Sequence, residues 1–300
     1  MIGMRLQPVF LVSLACFLLP WHSIQARQPL ALFAFSGGTG KGCGAGFACP
    51  LRYNFEALQA KGGLDQIALA LQAKGAEVTI HAYASDFIEH HSPDSGRMET
   101  GFENALRDLD AILASSPQPP RLAVLGSSQG VYWAMLLVLA HPELQFDYLI
   151  QSDGACRGFR LFLEYFQELQ ASQGNPQDHA YLNGYLERAG IERYCYIDPK
   201  ESVTSTTPSS ADRIPDNVVY NLEMQTAILA LPAGPPRGPS VNLPEDNVSN
   251  IRLGDGSTRG IFTHVTYRIT HDQMLEANGP DTMWLVRQIN RLGLPQASTP

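Results

Sequence analysis

The chain has 300 residues, of which 44% are hydrophobic and 17% charged, and a formal net charge of −8. That apolar mass suffices for a large core and excludes a disordered chain, and 26 Gly and 21 Pro without a period exclude collagen-like or low-complexity architecture. The acidic balance, with no basic patch to offset it, argues against nucleic acid as a partner.

Residues 1–5 give a short positive start, and residues 8–21 (PVFLVSLACFLLPW) form one apolar run. A bilayer span needs about 20 apolar residues. The run instead fits the central region of a secretory signal peptide, with Ile24-Gln25-Ala26 as the cleavage site. The expected mature chain starts at Arg27, is secreted or periplasmic, and has no integral membrane span. An uncleaved anchor is the alternative. Four cysteines then remain: Cys43, Cys49, Cys156 and Cys195. An even number in an exported chain suggests two disulfides, and four cysteines allow three pairings. Cys43–Cys49 would close a small Gly-rich loop and Cys156–Cys195 would tie down a long insertion. In a reducing compartment, four free thiols are expected instead.

In chain order, residues 30–35 (LALFAF) read as a buried parallel strand, and 36–46 as a glycine-rich loop. Residues 63–74 have helical spacing and stop at Gly75. A strand is expected over 76–84, an amphipathic helix over 98–115, and a strand over 121–125. Residues 130–141 (GVYWAMLLVLAH) are apolar on nearly every side, which predicts a buried helix ended by Pro142. Strands follow over 146–151, 218–225 and 261–269, and a closing helix over 281–292. Alternating strands and helices indicate an α/β fold with a mostly parallel central sheet and helices on both faces. Residues 157–216 interrupt the alternation as a cap-like insertion. No repeat is visible, so 27–300 reads as one domain.

The sharpest motif is Gly126-Ser127-Ser128-Gln129-Gly130, a G-x-S-x-G lying between an apolar strand and an apolar helix. A strand that reverses into a helix within so few residues forces its central residue to positive φ. Side chains two positions before and after would strike neighbouring backbone, so glycine is needed there. The Ser128 hydroxyl would stand at the sheet's carboxyl edge, at the positive end of the next helix.

On this pentapeptide, the first glycine loop and a histidine near the terminus, the chain resembles the α/β-hydrolase superfamily, in particular its small secreted lipases and esterases. The resemblance implies a Ser-acid-His triad acting on esters. The nucleophile is then Ser128. The histidine is His271, placed after the last strand, with His264 inside that strand as the competitor. The acid is Asp153, which closes the strand after the elbow helix. That spacing is similar to the pancreatic-lipase branch. Glu223 falls inside a strand, and Asp246 and Asp255 in a long loop. The oxyanion donors are the N–H of Gln129 and that of Gly38 or Thr39 in the first loop. The substrate implied is a small-molecule or lipid-like carboxylic ester.

Nucleotide binding is a rival for the same loop, but Phe35 and Gly42 break the P-loop pattern around Gly40-Lys41, and G-x-G-x-x-G also fails. His90-His91 with Asp94 has no metal-ligand spacing, so a solvated loop is expected there and no metal or organic cofactor. Two further functional readings stay open at this point: a hydrolase-like binding protein without catalysis, and an acyltransferase using the same serine. Asn247-Val248-Ser249 matches a glycosylation sequon.

Overall fold

A computed structural model describes residues 27–38, 55–85, 90–91, 98–115, 118–128, 130–152, 213–226, 250–266, 269 and 273–296. Its centre is a six-stranded sheet. The strands are β1 (Gln28–Gly38), β2 (Ala76–Ser85), β5 (Arg121–Ser127), β6 (Phe146–Ser152), β8 (Val218–Thr226) and β10 (Ile261–Thr266). Every pairing between them is parallel, and the spatial order is β2-β1-β5-β6-β8-β10. Two short pairs lie apart from it: β3 (His90–His91) against β4 (Met98–Glu99), antiparallel, and β7 (Arg213–Ile214) against β9 (Ile251–Arg252), parallel.

Parallel neighbours need crossovers, and helices supply them. Helices α1 (Phe55–Ala60) and α2 (Gly63–Ala73) join β1 to β2; α3 (Phe102–Ser115) lies between β2 and β5, and α4 (Gly130–Ala140) between β5 and β6. Helix α5 (Pro280–Leu292) follows β10. Two cores result, one on each sheet face. Helices α3 and α4 cover one, where Phe102 meets Trp133 at 5.0 Å between ring centres. Helices α1, α2 and α5 cover the other, with Leu64, Ile67 and Leu71 of α2 and Leu285 and Ile289 of α5 against Leu32, Leu125 and Ile150 of the sheet. Helical spacing dictates this split: Leu64, Ile67, Ala68 and Leu71 share one stripe of α2, while Leu69 on the opposite side is exposed.

Helix α4 has no polar face. All its residues but Leu139 are buried. Its C-terminal end is held from a distant turn, where the Asn217 amide nitrogen donates to the carbonyls of Val138 (3.2 Å), His141 (2.9 Å) and Leu144 (3.0 Å). Two of these carbonyls also accept from backbone, Val138 from the His141 N–H at 3.3 Å and His141 from the Leu144 N–H at 3.1 Å, so Asn217 reinforces the turn that ends the helix.

Three expectations are corrected. The predicted loop at 36–46 starts later, because β1 runs to Gly38. Three steps of β1 from Phe35 to Gly38 match two steps of β2 from Tyr83 to Ser85, which makes a bulge at Ser36-Gly37. The Ser36 hydroxyl accepts a hydrogen bond from the Ser85 N–H at 3.1 Å and so bridges the interrupted ladder. The predicted helix at 98–115 begins only at Phe102. Met98 and Glu99 pair with His90 and His91, and the Gly101 carbonyl opens the helix by accepting from the N–H of Asn104 and Ala105. The pair His90–His91 is consequently a short strand and not a loop. The remaining strands and helices of the sheet lie where the pattern put them, to within a few residues at each end. The insertion 157–216, apart from 213–216, and the leader lie outside the described residues.

Candidate active site

The chain runs β1, then outward to β2, then back across β1 to β5. The order therefore reverses between β1 and β5. In open α/β sheets, ligands bind in the crevice outside the carboxyl ends of the strands at such a point. Ser128 stands there, directly after β5 and two residues before α4 begins.

Its backbone has φ 55°, a conformation that L-residues rarely adopt. Such strain costs about 1–2 kcal/mol and persists only where the surroundings impose it. They do so here. The Ser128 N–H donates to the Ser152 carbonyl at 2.8 Å, just beyond the Ser127–Ser152 pair that ends the β5–β6 ladder. The Ser128 carbonyl accepts from the Val131 N–H at 3.1 Å and starts the helix. A Cβ on Gly126 would lie 2.4 Å from the Val131 Cα, and one on Gly130 would lie 2.3 Å from the Ser36 oxygen and 2.4 Å from the Phe35 oxygen. Both glycines are thus required by backbone, not by flexible side chains. Gly130 also presses the start of α4 against the end of β1, which brings the Gly38 end of that strand to the same crevice. Ser128 itself is half-buried, and the first turn of α4 holds no acidic residue to oppose negative charge there.

Of the other predicted site residues, Gly38 is the last residue of β1, in register with Ser85. Thr39, Gln129, Asp153 and His271 lie outside the described residues, as do Cys43, Cys49, Cys156 and Cys195. Asp153 follows Ser152, the last residue of β6 and the cross-strand partner of Ser127.

The competitors are placed. His264 lies inside β10, half-buried, and stacks on Trp284 at 5.2 Å and 15°. Burial pushes its imidazole below the usual range. Asp255 caps its own turn by accepting from the Ser257 N–H at 2.8 Å, and that bond holds its carboxyl below the usual range. It precedes β10 and therefore belongs to the opposite edge of the sheet from Ser128. Glu223 is buried within β8, level with Gln151 and Thr263, and its Oε1 accepts from the Gln225 amide at 2.9 Å. Asp246 lies outside the described residues.

A cavity of about 530 Å³, bordered by Glu143, Asp216, Arg252 and Arg259, also opens at that far edge. Arg252 at its wall is committed to backbone: it donates to the carbonyls of Pro215, Val218, Val219 and Arg259. Among the described residues no group of His, Cys, Asp or Glu could hold a metal, and no helix is long and apolar enough to cross a membrane. Sequence reasoning missed Ser36, whose bridging role follows from a bulge. It also missed the turn after residue 272, where only the dipeptide Asn278-Gly279 signalled a reversal.

Six parallel strands in this order, with a strained serine between the third strand in sequence and its helix, have the arrangement of the α/β-hydrolase fold. Solved structures align with most of this chain at low identity. A protein of unknown function from Agrobacterium tumefaciens is 12% identical, with a TM-score of 0.42 and 91% of each chain covered. The esterase domain of a Rhodothermus marinus protein is 14% identical, with a TM-score of 0.39, over 90% of this chain and 87% of that one. Mouse α/β hydrolase domain-containing protein 10 is 12% identical, with a TM-score of 0.42, over 90% and 91%. No family model matches the chain, and no curated protein does either.

Proposed function

We propose that the protein is an exported serine hydrolase that cleaves carboxylic esters through an acyl-serine intermediate. The observation that carries this reading is the strained Ser128, held at φ 55° between two obligatory glycines at the switch point of the sheet. A half-buried serine at a strand end, in a conformation that costs free energy, is hard to explain by folding alone.

In the proposed reaction the Ser128 oxygen attacks the ester carbonyl carbon as its proton passes to the His271 imidazole. The carbonyl electron pair moves onto oxygen, where the N–H groups of Gln129 and of Gly38 or Thr39 hold it. Collapse of the adduct breaks the bond to the alcohol, which leaves with the proton from His271. Water then repeats the sequence and releases the acid. Asp153 orients His271 and stabilises its cation. No cofactor takes part. Residues 157–216 would shape the substrate pocket, and the substrate would be a small-molecule or lipid-like ester. Cleavage after Ala26 and two disulfides would accompany export to a secreted or periplasmic location.

A fluorophosphonate probe tests the reading. It should label the wild type but not Ser128→Ala, and labelling should parallel hydrolysis of p-nitrophenyl esters. A correctly folded wild type that is neither labelled nor active refutes it. N-terminal sequencing of the exported protein tests the leader, and any start other than Arg27 corrects it.

A further inference from the structure

The turn at residues 273–279 follows the proposed base by two residues, and its conformation is unusual. Leu275 and Asn278 both have positive φ, 61° and 60°. Neither is glycine, and Leu275 is fully buried. Such a backbone persists only where its neighbours impose it.

They come from two directions. The first is the junction of α1 and α2. The Gly63 N–H donates to the Leu275 carbonyl at 3.1 Å, and the Ala277 N–H donates to the Lys61 carbonyl at 2.6 Å. The Lys61 ammonium donates to the Met274 carbonyl at 3.1 Å. The Gln66 amide makes two bonds to Asn278: its Nε2 donates to Oδ1 at 2.9 Å, and its Oε1 accepts from the backbone N–H at 3.0 Å. Gly63 allows the approach, since a Cβ there would lie 2.1 Å from the Leu275 oxygen. The second direction is the first turn of α5, where Asp281 Oδ2 accepts from the Leu275 N–H at 2.9 Å. Asp281 is fully buried, and among the described residues its Oδ1 has no hydrogen-bond partner.

Ile269, two residues before position 271, packs in the core beside Met274 and Leu275. A chain spans at most about 3.6 Å per residue, so anchors at Ile269 and Met274 restrict the reach of the segment between them. We propose that Lys61, Gln66 and Asp281 form a clasp that fixes the 273–279 turn and thereby positions His271 against Ser128. This rests on the hydrolase reading above, in which His271 is the base. The three are positioning residues that act through the turn and touch no substrate.

The test uses the full chain with Gln66→Ala, Asp281→Asn and Asp281→Ala. It reads kcat and KM on a p-nitrophenyl ester, the pH profile of kcat/KM, thermal stability, and amide exchange across 273–279. Gln66→Ala should lower kcat about 3- to 10-fold with KM within about twofold, since misplacing a reacting group by about 1 Å costs up to ~10². Its exchange should rise at 273–279, and the acid limb of the pH profile should shift. Asp281→Ala should cost more than Gln66→Ala, and Asp281→Asn, which keeps an oxygen acceptor, should recover most of that loss. Because Asp281 is buried, Gln66→Ala decides the matter if Asp281→Ala does not fold. An active wild type whose Gln66→Ala variant loosens the turn yet keeps kcat and pH profile overturns the clasp alone. A wild type inactive toward both probe and ester overturns the hydrolase reading and the positioning role with it.

Discussion

Gly130→Ala puts the elbow to its most direct test. The added Cβ would lie 2.3 Å from the Ser36 oxygen and 2.4 Å from the Phe35 oxygen, whereas ordinary contact begins near 3.4 Å. Both obstacles are backbone of β1, so neither can swing aside. The start of α4 must move off β1 by about 1 Å. Overpacking of this kind costs about 1–3 kcal/mol, and a rigid backbone obstacle puts it at the upper end. For a chain of this size each kcal/mol lowers Tm by about 2–4 °C, so a fall of roughly 5–10 °C is expected. Ser128 shifts with the helix, and a displacement of about 1 Å corresponds to an activity loss of up to about 10². Gly75→Ala is the control. Gly75 has φ 93° with nothing within 4 Å, so the variant should lose about 1 kcal/mol and keep its kcat. Thermal melts and p-nitrophenyl ester cleavage read both variants. If Gly130→Ala melts within about 2 °C of wild type and keeps at least half of its activity, β1 does not confine the elbow as described.

Ser128→Gly should be more stable than Ser128→Ala by about 1 kcal/mol, because glycine relieves the positive φ that alanine retains; equal denaturation midpoints would show that the serine is not strained. Asp153→Asn should lower kcat by about 10⁴, whereas Glu223→Gln should leave it within about threefold; the reverse ranking transfers the acid role to β8. His81 and His264 should make the protein lose stability on mild acidification. Burial lowers both imidazole pKa values from 6.5, against the raising influence of Asp108 on His81 and of Asp281 on His264. The unfolded chain therefore takes up protons first. The contribution is complete above 6.5 and is lost as pH falls from there toward the folded-state values. Melting temperatures between about pH 7.5 and 5.5 should fall less steeply in His81→Gln/His264→Gln than in wild type, and parallel slopes would disprove the assignment.

The sheet was legible because buried parallel strands tend to be continuous apolar runs, as in LALFAF of β1 and LAVL of β5. The elbow was legible because its glycines answer to local backbone collisions. What escaped depended on partners distant in sequence. Nothing local shows that Gly37 and Gly38 stay in β1, because it is β2 that holds them there. The start of α3 was misread because Met98, four residues before Phe102, continues its apolar spacing while pairing elsewhere. Helix α1 was missed because six residues give too short a period. Leu275 carries no sign of a positive φ, since its conformation comes from Gly63 and Asp281.

Helix α4 is fastened at both extremities, by the carbonyls of β1 against Gly130 and by the Asn217 amide at its far end. It can neither slide nor rotate to accommodate a visitor. With Ser128 as the proposed nucleophile, adaptation to new compounds would fall to the segments outside the sheet, and the serine would be a stationary reference. Under the proposed function, such a division of labour would let selectivity drift by loop replacement without recalibrating the reactive centre, and residues 157–216 would be the stretch to exchange when altering what the protein accepts.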